Sequence, residues 1–536
     1  MSSAAKPEFD AIIIGAGHNG LTCAAYLAAA GLRVKVLERR EQVGGAALTE
    51  EFHPGFRNSV YSYSISLLNP RVIKDLELER HGLTIMERPA GTLSLLDGDH
   101  MLLSRDANQA RQEIARFSKH DAQRIDAFED QISRVALAMR DIAMATPPDF
   151  GGGLRDLANL VMAGNSLRKM NAADQAVLAE LMTMSLGDYL DGWFEGTALK
   201  GILGLEGVIG NYADPYHAGT AYVLLHHAFG EVNGRTGAWG IAKGGMGSIS
   251  NAMAASAIER GVTIETGAGV KELIVRNGKT AGVVTDDDRE IYAKVISANI
   301  HPQTLLTKLL NPALLDAETH RRITGYRSHS GTFRMNVALT ELPHFVSLND
   351  TDESHFKGAI EICPSLSYMR TAYADAESGG WSQQPIISMQ VPTTQDDSLA
   401  PPGQHVASLF CQHFQRHLPA QVGQTWDQVK DTVADEVIDA VSQYAPNFRE
   451  SIIGRQIKSP LDIERDLGMV GGDIFHGALH LDQLYSLRPV AGFAAYRMPV
   501  ENLYLCGSGA HPGGGVTGLP GHHAARQILS DRRRWA

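Results

Sequence analysis

The segment from Asp10 to Gly31 constrains this chain more than any other. Its apolar, β-branched start, Asp10-Ala-Ile-Ile-Ile-Gly15, reads as a buried parallel strand that stops at glycine. The strand passes into Gly-Ala-Gly-His-Asn-Gly, with Gly15, Gly17 and Gly20 in the G-x-G-x-x-G spacing, and then into an Ala-rich helix, Leu21 to Gly31, closed by a glycine. Gly15 permits the sharp turn, Gly17 lets the backbone approach a pyrophosphate, and Gly20 lets the helix pack close to the strand. The helix N-terminus presents unpaired N–H groups and a positive dipole end to phosphates. A second strand, Arg33-Val-Lys-Val-Leu37, ends at Glu38, 18 residues beyond Gly20. A carboxylate there accepts hydrogen bonds from a ribose and repels a 2′-phosphate. Strand, turn, helix, strand and acid in this order predict a Rossmann-type dinucleotide-binding unit.

The full chain of 536 residues is long enough for two or three structural units. With 44% hydrophobic and 20% charged residues it is globular rather than disordered, and 54 glycines place backbone in many tight positions. A net charge of −12 argues against nucleic acid as the main partner. Cys23, Cys363, Cys411 and Cys506 show neither a C-x-x-C pair nor metal-ligand spacing, so a reducing compartment and no metal are expected. No signal-peptide pattern and no run of about 18 apolar residues is present, which predicts a cytoplasmic protein. A surface that rests on a membrane stays open, and oligomeric state is not set by the sequence.

Helical periodicity runs from Ala107 to about Met144; Pro147-Pro148 stops it, Gly151-Gly-Gly153 opens a loop, and helical sequence resumes through Leu190. Gly244-Gly-Met-Gly-Ser248 leads into a helix, Ile249 to Arg260, and a strand, Val262 to Glu265. Strands at 269–275 and 281–285 flank an Asn277-Gly278 hairpin turn, and 293–299 follows. Strand-like segments then dominate 328–411, and a helix is expected from Trp426 to Tyr444. The last strand, Asn502 to Gly507, meets Ser-Gly-Ala-His-Pro-Gly-Gly-Gly-Val-Thr-Gly518 and a further helix. Such a loop passes flat against a planar ring and points N–H groups at its oxygens.

The paired Gly44-Gly45 in Glu41-Gln-Val-Gly-Gly45 resembles the second glycine element of FAD-dependent oxidoreductases with a glutathione reductase or amine oxidase type of fold. Gly507-Ser-Gly-Ala-His-Pro-Gly-Gly-Gly-Val516 resembles the C-terminal FAD motif of the phytoene desaturase family. The string from Gly471 through Phe475 and Tyr485 to Arg488-Pro489 is similar to the branch named pyridine nucleotide-disulphide oxidoreductase domain-containing protein 2, as are Gly219 to His227 and Gly237 to Gly240. The resemblance implies an α/β Rossmann-type FAD-binding domain with a discontinuous α+β substrate domain. The implied division is FAD-binding at 1–105, 241–327 and 471–536, a helical substrate part at 106–240, and a sheet-plus-helix part at 328–470. It also implies bound FAD: Gly15, Gly17, Gly20, Glu38, Arg39, Gly44 and Gly45 for the ADP half, Val270 lending its backbone to the adenine, and Gly507 and the Val516 backbone at phosphates and flavin. A disulphide substrate is disfavoured by the missing C-x-x-C, and a second bound nucleotide by the single complete motif.

Such a site oxidises a small molecule by hydride transfer to flavin, and desaturation also requires a proton acceptor. His511 in the glycine loop is the first candidate. His476, Asp482 and Tyr485 are expected to face the same cavity, and each also fits a role in loop packing. Lys243 is the one local lysine for the water-bridged position known in amine oxidases, and His226-His227 points to two different faces, which suits no metal. Three readings stand: a dehydrogenase or desaturase acting on an apolar or partly apolar substrate, a flavin amine oxidase, and a non-catalytic binding protein on the same architecture.

Overall fold

The run after Glu8 forms the strand Phe9–Ile14, and Ala11, Ile12 and Ile13 have no exposed surface, as a strand covered on both faces requires. The computed structural model describes residues 7–149, 153–348 and 352–535. In it Phe9–Ile14 is central to a parallel sheet ordered Thr263–Glu265, Val34–Leu37, Phe9–Ile14, Glu290–Ala298, Leu503–Leu505. The hairpin Val270–Arg276/Lys279–Thr285 extends this sheet antiparallel from Glu290–Ala298, and its turn residues Asn277 and Gly278 both have positive φ. First and last strands of the chain thus flank the same neighbour. Their helices, His18–Ala29 and Leu519–Ser530, pack on each other, and a Cβ on Gly521 would stand 2.1 Å from the Asn19 carbonyl oxygen.

A second sheet runs Ile452–Lys458, Phe333–Leu339, His405–Phe414, Trp381–Gln390, Ala359–Ile362, Thr92–Leu95, His100–Leu103. Its two faces differ. Met335, Val337, Leu409, Met389 and Ile360 pack with Val429, Val433 and Val437 of helix Trp426–Ser442 in one apolar core. The other face is buried yet polar, carrying Arg334, Asn336, Ser408, Ser388, Gln390 and Glu361. A cluster of helices, including Lys119–Ala143, Ala172–Thr183, Thr197–Val208 and Ala221–Ala228, forms a third core.

The structure departs from the sequence reading in two places. Thr92–Leu95 and His100–Leu103 belong to the second sheet, Thr92–Leu95 pairing parallel with Ala359–Ile362, so the chain leaves the nucleotide unit before residue 105. Helix Leu366–Gly379, capped by the Ser365 side chain, interrupts the stretch expected to be strand-dominated. The expected loop at Gly151-Gly152 lies outside the described residues. No helix among the described residues is long and apolar enough to cross a membrane.

Candidate active site

The two glycine turns meet at one cavity of about 460 Å³, lined from the N-terminal side by Gly15, Gly17, Glu38, Arg39 and Gly45 and from the C-terminal side by Ser508, Gly515 and Val516. Much of the wall formed by the N-terminal glycines is built from backbone. Gly15 has φ 93° and donates its N–H to the Leu37 carbonyl at 2.8 Å. The Gly44 N–H reaches the Ala16 carbonyl at 2.9 Å, which brings Gly45 so close that a Cβ on it would lie 3.2 Å from the Gly17 Cα. A Cβ on Gly20 would lie 2.1 Å from the Gly15 carbonyl oxygen, so Gly20 serves helix–strand packing. Gly507 is likewise behind the wall, against Asn299. The buried Glu38 carboxylate accepts from the N–H of Ala16 at 2.8 Å and of Arg40 at 2.9 Å. Arg39 lines the cavity but turns its guanidinium to the Arg465 carbonyl at 3.0 Å and to that of Asp466. Val270 and Asp286 also line the cavity.

These residues fit the ADP half of FAD. Helix His18–Ala29 starts at Gly17 with no side-chain cap and no acid in its first turn, leaving its N–H groups to an anion. His18 lines the cavity beside it, with Nε2 buried and without a partner. Bulkier residues would fill the cradle: a Cβ on Gly17 would come 2.8 Å from Asn299 Nδ2.

The aromatic part of the lining comprises Tyr61, Tyr63, Trp239, Phe410 and Phe475. Val516 holds φ 58°, a conformation that costs a β-branched residue strain and that neighbouring contacts must hold in place. The loop runs close under Phe475, whose Cα would lie 2.9 Å from a Cβ on Gly514.

Of the four expected catalytic side chains, the structure brings only His476 to the cavity. Its Nδ1 has no partner, and burial followed by the charge of Arg488 holds its pKa down to about 3. His511 lies behind the loop, not on the cavity wall; Tyr485 packs its ring edge-on against it at 5.4 Å. Burial likewise lowers the His511 pKa to about 3. Asp482 is exposed and paired with Arg327 at 2.6 Å, a surface ion pair. The reason is local: the Leu481–Gln483 turn carries Leu481 and Asp482 outward while Gln483 is buried against the backbone of Arg327. Lys243 is also exposed and outside the cavity.

The residue that organises this wall, Arg488, closes the string that carries the family resemblance but is not among the expected site residues. Arg488, with no exposed surface, donates to the carbonyls of Phe475 at 2.7 Å, Ser508 at 2.8 Å, Gly477 at 3.3 Å and Gln483 at 3.4 Å. It ties the 475–485 loop to the C-terminal glycine loop, and the Tyr326 hydroxyl adds a bond to the His476 carbonyl at 2.7 Å. Arg488 makes its hydrogen bonds to carbonyls, and its charge is felt by the buried groups around it, Asp473 among them. That charge contributes to holding His226 and His301 well below their ordinary pKa, after burial and the neighbouring histidines.

Comparison with known proteins agrees with this geometry. A model of the NAD(P)-binding Rossmann-like domain matches residues 13–76. Pyridine nucleotide-disulfide oxidoreductase domain-containing protein 2 of Rattus norvegicus is 40% identical over 98% of this chain and 94% of its own. The lycopene-forming phytoene desaturase of Pseudescherichia vulneris is 24% identical over 95% of this chain and 96% of its own. Cyclohexylamine oxidase from Brevibacterium oxydans shares the fold with a TM-score of 0.60 at 15% identity, covering 98% of this chain and all of that one. The chain therefore belongs to the pyridine nucleotide-disulfide oxidoreductase domain-containing protein 2 family and is an FAD-dependent oxidoreductase on an amine oxidase-type fold.

Proposed function

We propose that this protein oxidises an apolar or partly apolar small molecule by dehydrogenation, a C–H hydride leaving one carbon and a proton its neighbour, so that a C=C bond forms. Bound FAD supplies the hydride acceptor. Gly15, Gly17 and Gly45, which line the cavity, would hold its diphosphate by backbone, Glu38 its ribose and the Val270 main chain its adenine, with Gly44 fixing the turn behind them through the Ala16 carbonyl. The Val516 backbone would lie toward the ring. Tyr63, Phe410 and Trp239 wall off water and orient the substrate. His476 is neutral at neutral pH, but a pKa near 3 makes it a weak base, so it serves better as a hydrogen-bonding group that holds substrate or ring than as the final proton acceptor.

The observation that carries this reading is the single cavity lined by both glycine turns, from opposite ends of the chain. Anaerobic mixing of the FAD-loaded protein with candidate substrates tests it, with flavin bleaching followed optically and products identified by mass and NMR. A new C=C bond in the product is the expected result. Products oxidised only at a carbon attached to nitrogen would replace desaturation by amine oxidation.

A further inference from the structure

The adjacent histidines His226 and His227 face two different cavities. His227 lines the main one, whereas His226 lines a second cavity of about 390 Å³, a volume within the range of small-molecule sites. Pro512, Thr517 and Leu519 of the C-terminal segment form part of its wall, and Leu67 lines both cavities. The partition between them is one layer thick. A Cβ on Gly515, a main-cavity residue, would lie 2.5 Å from Leu67 Cδ1 and 3.6 Å from His226 Nε2. The Asn69 N–H donates to the Thr517 carbonyl at 3.1 Å and ties the 67–69 segment to the glycine loop.

His226 is 1% exposed, and neither of its ring nitrogens has a hydrogen-bond partner. Phe229 at 5.1 Å and Phe475 at 5.6 Å hold the ring edge-on. Burial, then the charges of His227 and Arg488, keeps its pKa well below the ordinary value against a smaller effect of the Gly514 backbone. It stands as a neutral imidazole with one donor and one acceptor. Burying both without partners is costly, and a group of this kind marks a place where a ligand or a water completes the bonding. The rest of the interior is apolar, with Leu68, Met144, Phe229 and Leu519. Charged groups on the wall are paired or lie at the rim: Arg140 pairs with Glu231, Arg71 with Asp75 at 3.4 Å, and Asp141 is exposed. Among the described residues, no unpaired charge is left in the interior for an ionic ligand. Leu137, 49% exposed, stands with Arg71 and Asp141 where the cavity meets solvent.

We propose that the second cavity is a binding site for an uncharged apolar molecule with one hydroxyl or carbonyl group, hydrogen-bonded to His226, and that its occupant acts on the flavin through the wall the two cavities share. The ligand oxygen accepts from the imidazole N–H, and a hydroxyl can instead donate to the other nitrogen. The apolar body packs on Leu67 and Pro512, next to the Gly515 and Val516 backbone that lines the main cavity. The binding site stands on the second cavity alone, whereas the action on the flavin rests on the reading of the main cavity as the flavin site.

The test uses FAD-loaded protein and four probes of similar size, benzyl alcohol, acetophenone, toluene and benzoate, titrated by calorimetry and followed in parallel through the flavin absorption band. Benzyl alcohol and acetophenone are expected to bind about fivefold more tightly than toluene or benzoate and to shift the flavin band with the same midpoint. His226→Leu is expected to weaken benzyl alcohol about fivefold to tenfold and to leave toluene unchanged. Leu137→Cys locates the site without disturbing the core, because Leu137 is exposed and Cys23, Cys363, Cys411 and Cys506 are buried. Labelling this variant with N-phenylmaleimide is expected to abolish benzyl alcohol binding and to keep bound FAD. Equal binding of toluene and benzyl alcohol, meaning that His226 meets only water, would overturn the proposal. So would a preference for benzoate, binding that survives the label, meaning a molecule seated in the main cavity, or binding that leaves the flavin band unmoved. Calorimetry reads binding whether or not flavin is present, so a failure of the flavin reading leaves it interpretable, and absence of binding leaves the dehydrogenase reading standing.

Discussion

Glu38 and His476 are the two side chains whose chemistry is most exposed to test, because each presents a polar group to the cavity with little else to satisfy the site there. Replacing Glu38 by alanine leaves the Ala16 and Arg40 N–H groups without their acceptor and removes the proposed ribose contact. FAD affinity should fall about tenfold or more, as loss of a charged hydrogen bond predicts, and equilibrium dialysis of the variant measures it. His476→Ala should keep FAD and slow its reduction by substrate, whereas His511→Ala should reduce at the parental rate. Stopped-flow bleaching distinguishes them, and a slow His511 variant beside a normal His476 variant would reverse the assignment. The glycine spacing made the backbone turns around the cavity legible because each glycine answers a local backbone demand. His511 misled because a residue inside a cofactor loop can face away from the cofactor, and spacing does not say which side of the loop is the wall. Arg488 was not legible as a site residue at all: one arginine before a proline shows nothing of the carbonyls that gather round it.

At the scale of elements, two strand–turn–helix units from opposite ends of the chain meet through their helices. Gly521→Ala would drive a methyl group to within 2.1 Å of the Asn19 carbonyl. Such overpacking should lower stability by about 1–3 kcal/mol and loosen FAD as well, seen as a lower Tm whose rise on adding FAD is smaller than in the parent. An unchanged Tm would mean the helices do not meet this closely. Both units could be read from sequence because strand, turn and helix each mark their own ends. The pairing of Thr92–Leu95 with Ala359–Ile362 could not, since a short apolar strand fits either sheet and distant contacts choose between them. Helix Leu366–Gly379 did carry a helical stripe, with Leu366, Met369, Ala372 and Ala376 buried. Its two alanines give little hydrophobic contrast, and its flanks are strands.

At the scale of the molecule, the helices, sheets and loops around the cavity together bury many histidines in neutral form. Burial lowers His18 to about 4, and His413, His476 and His511 to about 3, from an ordinary 6.5. The unfolded chain takes up these protons as pH falls below about 6.5 while the folded chain does not, so stability is complete above that pH and declines toward pH 3. Each such histidine contributes up to about 1.4 kcal/mol per pH unit in that window. Glu361 and Asp473, whose pKa values burial raises, act in the opposite direction and are fewer. Thermal unfolding should therefore occur at clearly lower temperature at pH 5 than at pH 8; a flat profile would show these histidines to be solvated. The central claim concerns the whole chain, that its two ends enclose one flavin. The most direct measurement is the visible spectrum of the purified protein with quantification of FAD released on denaturation. The account predicts a yellow protein with about one FAD per chain, and a colourless protein that takes up none when FAD is supplied would contradict it.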